Sequence, residues 1–183
     1  MPQIIAGTLR GKRLQTLEGL HTRPTTSRVK ESMFNIIQFD LPEARVLDLF
    51  AGSGQLGLEA LSRGAACCTF VEGDRAAQKV VAQNLRACAL TGDKARLETG
   101  DAYAFLRNNQ GKQFDLIFLD PPYGGELLQK ALNDISLFDI LAEDGIIICE
   151  HAVADRVNFD LPGLRLIKQY KYGQILITKV GKA

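Results

Sequence analysis

A short corner, Asp120-Pro121-Pro122-Tyr123, follows the most apolar stretch of the chain, residues 114–119. Its two prolines fix the backbone and remove two N–H donors, so carbonyl groups there lack local amide partners. The Asp120 carboxylate and the Pro121 carbonyl can then accept both hydrogens of an exocyclic NH₂ group, and Tyr123 offers a flat face for a stacked base. This pattern predicts chemistry at an sp² amino nitrogen, whose lone pair becomes localised towards an incoming methyl group. The alternative is an ordinary proline-rich turn.

A glycine-rich segment follows an earlier apolar run and ends in Gly52-Ser53-Gly54-Gln-Leu-Gly57. Glycines allow a sharp turn and the close approach of a ligand, and the helix predicted next offers free N–H groups. Dinucleotides and S-adenosylmethionine both use this arrangement. Asp48 favours the second, because a carboxylate repels a pyrophosphate and attracts an ammonium group. A tight turn without a ligand is the alternative. The predicted cofactor residues at this loop are Asp48, Phe50, Gly52, Ser53 and Gly54.

Two further acidic residues follow predicted strands. Glu72 lies 18 residues after Gly54, where an acid can accept both hydroxyls of a ribose. Asp101, followed by Ala102, lies where a carboxylate can accept from an adenine amino group. Glu72 could instead be a solvated charge at a strand end, and Asp101 could cap the next helix.

Alternating strand and helix patterns must position these residues. Five strand–helix units and a final hairpin predict a doubly wound, seven-stranded, mostly parallel α/β sheet of the Rossmann-like type, with an antiparallel last strand. Ligands of such sheets bind beyond the carboxyl ends of the strands. The predicted strands are 46–50, 67–72, 95–99, 114–119, 145–149, 164–170 and 174–180, with helices near 76–89, 102–108 and 127–141.

Length and composition exclude several classes of protein. A chain of 183 residues with 46% hydrophobic residues suits one folded domain. No stretch is long and apolar enough for a membrane span or a secretory signal. Four cysteines without C-x-x-C spacing and two histidines indicate neither a zinc site nor a disulfide framework. These observations predict a cytoplasmic protein without a metal.

The net charge of +1 conceals a basic N-terminus, because residues 1–30 carry six basic residues and one acid. The first 20 residues show the pattern of a short β-hairpin. Together with the basic charge, this pattern predicts an arm that binds a polyanion. A solvated basic surface is the alternative.

Several segments together resemble one family. The corner and the glycine loop resemble class I S-adenosylmethionine-dependent amino-methyltransferases. Residues 4–14 and 22–37 are similar to the bacterial 16S rRNA guanine-N2 methyltransferases of the RsmD family. Two positions depart from the family pattern: Ser27 stands where Asp is common, and Gln174 where Thr is frequent.

The resemblance implies methyl transfer from S-adenosylmethionine to N2 of one guanine in 16S rRNA, within an assembled or late-assembling small ribosomal subunit. It implies that residues 120–123 hold the target base and that the methionine end of the cofactor meets Arg23, Pro24 and Thr25. We expect a monomer with an RNA-binding extension, residues 1–25, on a methyltransferase domain, residues 26–183. The predicted RNA-binding residues are Arg10, Lys12, Arg13, Arg28 and Tyr172.

Rival functions remain open at this point. An adenine-N6 methyltransferase of DNA or RNA shares the corner, but a separate target-recognition domain cannot be found in 183 residues. Glutamine methyltransferases more often carry Asn at the place of Asp120. A non-catalytic RNA-binding assembly factor with the same fold, or an NAD-dependent oxidoreductase, completes the alternatives.

Overall fold

The computed structural model describes residues 2–17, 27–122 and 125–183. Within them, seven strands and five α-helices alternate along most of the chain, with a 3₁₀ turn at Gly92–Lys94. The strands are β1 (Arg45–Asp48), β2 (Cys67–Glu72), β3 (Ala95–Thr99), β4 (Phe114–Leu119), β5 (Leu141–Ala152), β6 (Leu164–Tyr172) and β7 (Ile175–Lys182). The helices are α1 (Ser27–Ile36), α2 (Gln55–Ser62), α3 (Arg75–Ala87), α4 (Ala102–Asn108) and α5 (Gly125–Leu137).

All seven strands belong to one sheet in the order β3-β2-β1-β4-β5-β7-β6. The pairs from β3 to β5 are parallel, whereas β7 runs antiparallel to both of its neighbours. The predicted fold class, a mostly parallel doubly wound sheet with a reversed last strand, is therefore confirmed. Strand order reverses between β1 and β4, and a crevice at such a switch point is where open α/β sheets bind ligands.

The two faces of the sheet carry separate apolar cores. One core joins the sheet to α1, α2 and α3 through side chains such as Phe34, Leu58 and Val81. The other joins it to α4 and α5 through side chains such as Leu106 and Leu132. Since β1 and β4 are covered on both faces, the middle of each strand is apolar and buried, as central parallel strands require, while charged residues such as Arg45 and Asp48 stand at the strand ends.

Residues 2–17 form a looped segment that packs on the first core. One antiparallel bridge joins Gln3 to Arg13, and the Ile4 amide donates to the Lys12 carbonyl at 3.0 Å. Ile4 and Leu14 are fully buried in this core. The pairing keeps the antiparallel sense predicted for a hairpin, but it is confined to this bridge and its neighbouring bonds rather than two regular strands.

The largest difference from the predicted elements concerns α5 and β5. The sequence predicts a helix over residues 127–141, but α5 ends at Leu137 and Asp139 takes a φ of 51°. The chain then enters β5 at Leu141, earlier than the predicted 145. Apolar residues continue the helical spacing across this point, whereas Glu143 and Asp144 hide the strand pattern because they are exposed.

The four cysteines are free thiols, and Cys67, at the amino end of β2, is the one that is partly exposed. Burial raises the pKa of the Cys68, Cys88 and Cys149 thiols. Among the described residues, no helix is long and apolar enough to cross a membrane.

Candidate cofactor and base-binding site

The loop between β1 and α2 lies at the switch point of the sheet. Gly52 and Gly54 take φ values of 56° and 78°, in the left-handed region that other residues rarely adopt. The Gly54 amide donates to the Ala51 carbonyl at 2.6 Å, which closes a tight turn directly before the helix. A Cβ at Gly52 would meet nothing within 4 Å, so this part of the loop borders open space that a ligand can enter.

Glu72, at the end of β2, holds the loop from the neighbouring strand. Its Oε2 accepts the Gly52 amide at 2.7 Å, and its Oε1 accepts the Asp74 amide at 2.8 Å. Asp74 in turn caps α3 by accepting from the Ala76 and Ala77 amides. Each Glu72 oxygen keeps a second acceptor position, so the carboxylate can serve a ribose while it holds the loop.

Asp48, the last residue of β1, lies beneath the loop and is 2% exposed. Its Oδ2 accepts the Gly57 amide at 3.0 Å, which fixes the first turn of α2. Burial, partly offset by this hydrogen bond and reinforced by the charge of Glu72, raises the pKa of Asp48 to about 7. A cation bound beside it would favour its charged form.

Asp101 follows β3 and caps α4, with the Ala104 amide donating to its Oδ1 at 2.8 Å. The Gly100 amide donates to the Glu72 carbonyl at 2.9 Å, so the ends of β2 and β3 are joined. The Asp101 carboxylate is exposed and Ala102 is buried behind it. The helix-capping role weighed from the sequence is present, and it leaves the second oxygen of Asp101 available.

Phe50, in the loop after β1, meets Tyr103 of α4. Their ring centroids lie 6.3 Å apart in an edge-to-face arrangement, which is a favourable aromatic geometry. The contact joins the glycine loop to the helix that Asp101 caps, so the two segments are neighbours at the carboxyl edge of the sheet.

Asp120 and Pro121 follow β4, across the switch point from the glycine loop. Both are half-buried, and Pro122 is exposed. Burial, followed by the charges of Glu150 and Asp48, raises the pKa of Asp120 well above its usual range. Tyr123, the fourth residue of the corner, lies outside the described residues.

The carboxyl edge of the sheet therefore concentrates acidic groups. Four adjacent strands each contribute one acidic residue there. Asp48 ends β1, Glu72 ends β2, Asp120 follows β4, and Glu150 lies near the end of β5. Besides burial, the charge of Glu72 raises the pKa of Asp48, and the charges of Glu150 and Asp48 raise the pKa of Asp120. A crevice of this charge favours a cationic ligand and disfavours a pyrophosphate.

The predicted RNA-binding residues that the structure describes lie on the N-terminal segment, on α1 and on β6. Arg10, Lys12 and Arg13 are exposed on the N-terminal segment, and Arg28 is exposed on α1. Tyr172, at the carboxyl end of β6, is half-buried and packs against the first core. The predicted Arg23, Pro24 and Thr25 lie outside the described residues.

Three residues of this region were not singled out from the sequence. Glu150 raises the pKa of Asp120, and Glu59 of α2 is fully buried. Asn84 of α3 hydrogen-bonds to the Ser53 carbonyl. A signal existed for the last two, since each places a polar side chain within the apolar stripe of its helix.

Two further features complete the surroundings. Among the described residues, no group of His, Cys, Asp or Glu could hold a metal ion. A groove of about 500 Å³ lies beside the corner, between the start of α5 and the chain after β5. Its lining mixes Glu126 and Asp155 with Lys130 and Arg156, so it has no excess of one charge.

The sheet order, the glycine loop and the acidic crevice define the class I methyltransferase architecture. The solved structure of yhhF from Escherichia coli superposes with a TM-score of 0.88 at 35% identity, covering 99% of this chain and 97% of that one. The S-adenosylhomocysteine-bound methyltransferase PaMTH1 of Podospora anserina shares the fold, with a TM-score of 0.68 at 17% identity over 86% of this chain and 80% of that one.

The family itself is also clear. The family described as "Conserved hypothetical protein 95" matches residues 2–180. Ribosomal RNA small subunit methyltransferase D of Escherichia coli is 39% identical over 151 residues, which are 82% of this chain and 75% of that protein. The chain belongs to this family, the RsmD family of methyltransferases, and the resemblance seen in the sequence is confirmed.

Proposed function

We propose that this protein transfers a methyl group from S-adenosylmethionine to the exocyclic N2 amine of a guanine in 16S rRNA. The observation that carries the proposal is the half-buried Asp120, which lies across the switch point from the glycine loop in an acidic crevice. Family membership supports the same activity, because the relatives from Escherichia coli and Haemophilus influenzae carry the name ribosomal RNA small subunit methyltransferase D.

The crevice fits S-adenosylmethionine better than a dinucleotide. This cofactor carries a sulfonium and an ammonium group, and both are attracted by the carboxylates of Asp48 and Asp120. The open space at Gly52 admits the cofactor, and Glu72 has acceptor positions left for its ribose. Asp101 and Ala102 are assigned to the adenine, and Phe50, Ser53 and Gly54 to the walls of the same cleft. The cofactor-binding set also includes the segment Arg23, Pro24 and Thr25, assigned to the methionine end.

The corner after β4 is assigned to the target base. Asp120 and the Pro121 carbonyl accept the two amine hydrogens, while Pro122 keeps the backbone rigid and Tyr123 stacks on the ring. Extracting a base from its stack costs a few kcal/mol, and stacking on Tyr123 returns about 1–3 kcal/mol of this.

Transfer is direct and needs no covalent enzyme intermediate. The cofactor supplies a methyl group already activated on a sulfonium, so alignment by the protein provides much of the acceleration, about 7–11 kcal/mol in well-oriented pairs. Asp120 orients the amine and stabilises the positive charge that grows on it as the C–N bond forms. The proton leaves the nitrogen late, because even a carboxylate whose pKa is raised by burial remains far too weak a base to remove a proton from a neutral aromatic amine beforehand.

RNA reaches the crevice with the help of the basic N-terminal segment. Arg10, Lys12 and Arg13 are assigned to phosphates, and Arg28 and Tyr172 to further RNA contacts at the margin of the site. In this proposal residues 1–25 form the RNA-binding extension of a methyltransferase domain, residues 26–183. The protein acts as a cytoplasmic monomer, without a metal, on an assembled or late-assembling small subunit.

The test is methylation of small ribosomal subunits from cells that lack the protein. Incubation with S-adenosylmethionine and nucleoside mass spectrometry should detect N2-methylguanosine in the 16S rRNA. D120A should abolish the product while it still binds S-adenosylhomocysteine, and D115A, which alters an exposed pair with Arg45, should remain active. Methylated adenine instead of guanine, or near-normal turnover by D120A, would contradict the proposal.

A further inference from the structure

Asn84 joins two segments to which different ligands have been assigned. It lies in α3 with 1% of its surface exposed. Its Oδ1 accepts the Gln15 amide at 2.8 Å, and its Nδ2 donates to the Gln15 carbonyl at 3.0 Å. The same Nδ2 donates to the Ser53 carbonyl at 2.8 Å. One buried side chain thus holds the N-terminal segment and the glycine loop together.

Only one orientation of this amide satisfies all three bonds. Reversal of the Asn84 side chain would set its NH₂ against the Gln15 amide and its oxygen near two carbonyls. A buried network of this kind is rigid when complete and costly when broken. The position of the Gln15 backbone is therefore tied to the position of the Ser53 carbonyl.

A second connection runs through α2, which begins at the glycine loop. Glu59 accepts the Ile5 and Ala6 amides at 2.8 and 3.0 Å. Ser62 accepts the Leu9 amide at 2.9 Å and donates to the Ala6 carbonyl at 2.6 Å. Unlike Asn84, these residues hold the N-terminal segment without a hydrogen bond to the glycine loop among the described contacts.

We propose that Asn84 is a positioning residue through which RNA binding at the N-terminal segment strengthens cofactor binding at the glycine loop. The inference rests on the proposed function, since it takes RNA as the ligand of the segment. Phosphates that engage Arg10, Lys12 and Arg13 restrain the segment, and the restraint reaches Ser53 through Gln15 and Asn84. Coupling between two binding sites is reciprocal, so the cofactor strengthens RNA binding by the same factor.

The test compares the affinity for S-adenosylhomocysteine with and without small subunits that lack the modification. This molecule is what remains of the cofactor after methyl transfer and has no methyl group to give, so both affinities are equilibrium values. The wild type should bind it about 5-fold or more tightly when the subunit is present. N84D keeps the acceptor for Gln15 but presents an oxygen to two carbonyls, and its ratio of affinities should fall to about 1-fold.

S62A is the matched control, because it removes two hydrogen bonds to the N-terminal segment and none to the loop. It should keep the wild-type ratio even where RNA binds more weakly. A wild-type ratio near one, or an unchanged ratio in N84D, would overturn the inference while methyl transfer persists. Absence of any methyl transfer by the wild type would instead overturn the proposed function and this inference with it.

Hydrogen exchange of the wild-type protein tests the same coupling without depending on the folding of N84D. Because Asn84 receives the Gln15 amide, S-adenosylhomocysteine without RNA should slow hydrogen exchange at Gln15 several-fold. The Leu9 amide, held by Ser62, should change less and serves as the internal reference. Equal exchange at Gln15 with and without S-adenosylhomocysteine would count against the coupling.

Discussion

The carboxyl group of Asp48 lies where burial strongly disfavours its charged form. It is buried beneath the glycine loop, and one amide, that of Gly57, donates to it. Its pKa of about 7 in the folded protein lies above the ordinary value of 3.8. The folded state therefore binds a proton more tightly than the unfolded state does. Asp48 destabilises the protein progressively as pH rises from about 4 to about 7.

Substitution D48N should remove this pH-dependent loss. Below about pH 3 the Asp48 carboxyl group is protonated in both the folded and the unfolded state, so wild type and variant should unfold with similar free energies. At pH 8 the variant should be more stable by up to about 4 kcal/mol, since each pKa unit corresponds to about 1.4 kcal/mol. Urea unfolding at the two pH values measures the difference. D144N, at an exposed position of β5, is the control, and a variant less stable than wild type at pH 8 would refute the argument.

At the residue scale the sequence predicted where three acidic residues lie in the fold. Glu72 ends β2, and Asp101 and Asp120 follow β3 and β4, because polar residues after apolar runs mark strand ends. Asn84 was missed because its role depends on Gln15 and Ser53, which are distant in sequence. The place of Asn84 within the apolar stripe of α3 indicates a buried polar side chain, but spacing alone does not reveal which remote backbone groups it bonds.

At the scale of elements, α2 depends on a glycine that packs against the sheet. A Cβ on Gly57 would lie 2.3 Å from the Phe70 ring and 2.6 Å from the Cys68 sulfur. The helix can therefore approach β2 closely, and Asp48 can reach the Gly57 amide. This close approach fixes the distance between the glycine loop and the sheet.

G57A should accordingly destabilise the protein, although Gly to Ala inside a helix ordinarily stabilises by up to about 1 kcal/mol. The predicted clash displaces α2 from β2, and we expect a loss of about 1–3 kcal/mol, typical of an overpacked core. Thermal unfolding measures it. Q55A, at the start of the same helix, should be nearly neutral, and a stabilised G57A would show that the helix can shift freely.

The buried ion pair of Glu59 and Lys30 fastens the N-terminal segment to the helices. Their charged atoms lie 3.2 Å apart, and the Lys30 Nζ also donates to the Gln3 carbonyl at 2.8 Å. Burial lowers the pKa of Lys30, while Glu59 opposes this shift. Arg63 adds a second cation to the same carboxylate at 2.8 Å.

E59Q should leave Lys30 buried without its counter-charge and cost about 3–5 kcal/mol of unfolding free energy. The N-terminal segment should also become sensitive to proteolysis, which N-terminal sequencing of early fragments would detect. D115N breaks the exposed pair with Arg45 and should cost about 1 kcal/mol or less. Equal losses in the two variants would mean that burial does not decide the strength of these pairs.

The elements themselves show where sequence patterns suffice. The bounds of β2, β3, β4 and α4 agree with the predicted ranges, because each lies between clear turn residues. The predicted end of α5 and the predicted start of β5 were wrong because the chain turns at Asp139, where neither a glycine nor a proline marks the turn. The pairing of Gln3 with Arg13 in the N-terminal segment is set by its contacts with α2 and α3, so alternation alone overstated its strands.

At the scale of the whole molecule, charge is divided between an acidic crevice and a basic N-terminal segment. The first favours a cationic cofactor and the second a polyanion, so the two ligands are attracted to separate places. An overall charge of only +1 would not indicate either preference. In the proposed function, this division keeps the attraction for the cofactor and the attraction for RNA on different parts of one chain.

Replacement of Arg10, Lys12 and Arg13 by alanine should weaken RNA binding and flatten its salt dependence. Each lost phosphate contact reduces the slope of log affinity against log salt by about 0.7–0.9. Filter binding of 16S rRNA at several salt concentrations gives this slope. The control replaces three exposed residues of the edge strand β6, Arg165, Lys168 and Lys171, with the same change of charge. Similar slopes for the two triple variants would indicate that charge alone, and not the N-terminal segment, holds RNA.

The partial exposure of Cys67 allows this thiol to be labelled selectively. It begins β2, whereas Glu72 ends it, and five steps of about 3.3 Å separate the two by about 17 Å. A maleimide fluorophore on the native Cys67 would thus sit at the opposite edge of the sheet from the crevice, while the three buried thiols react slowly. The wild-type protein can then report ligand binding optically without any engineered attachment point.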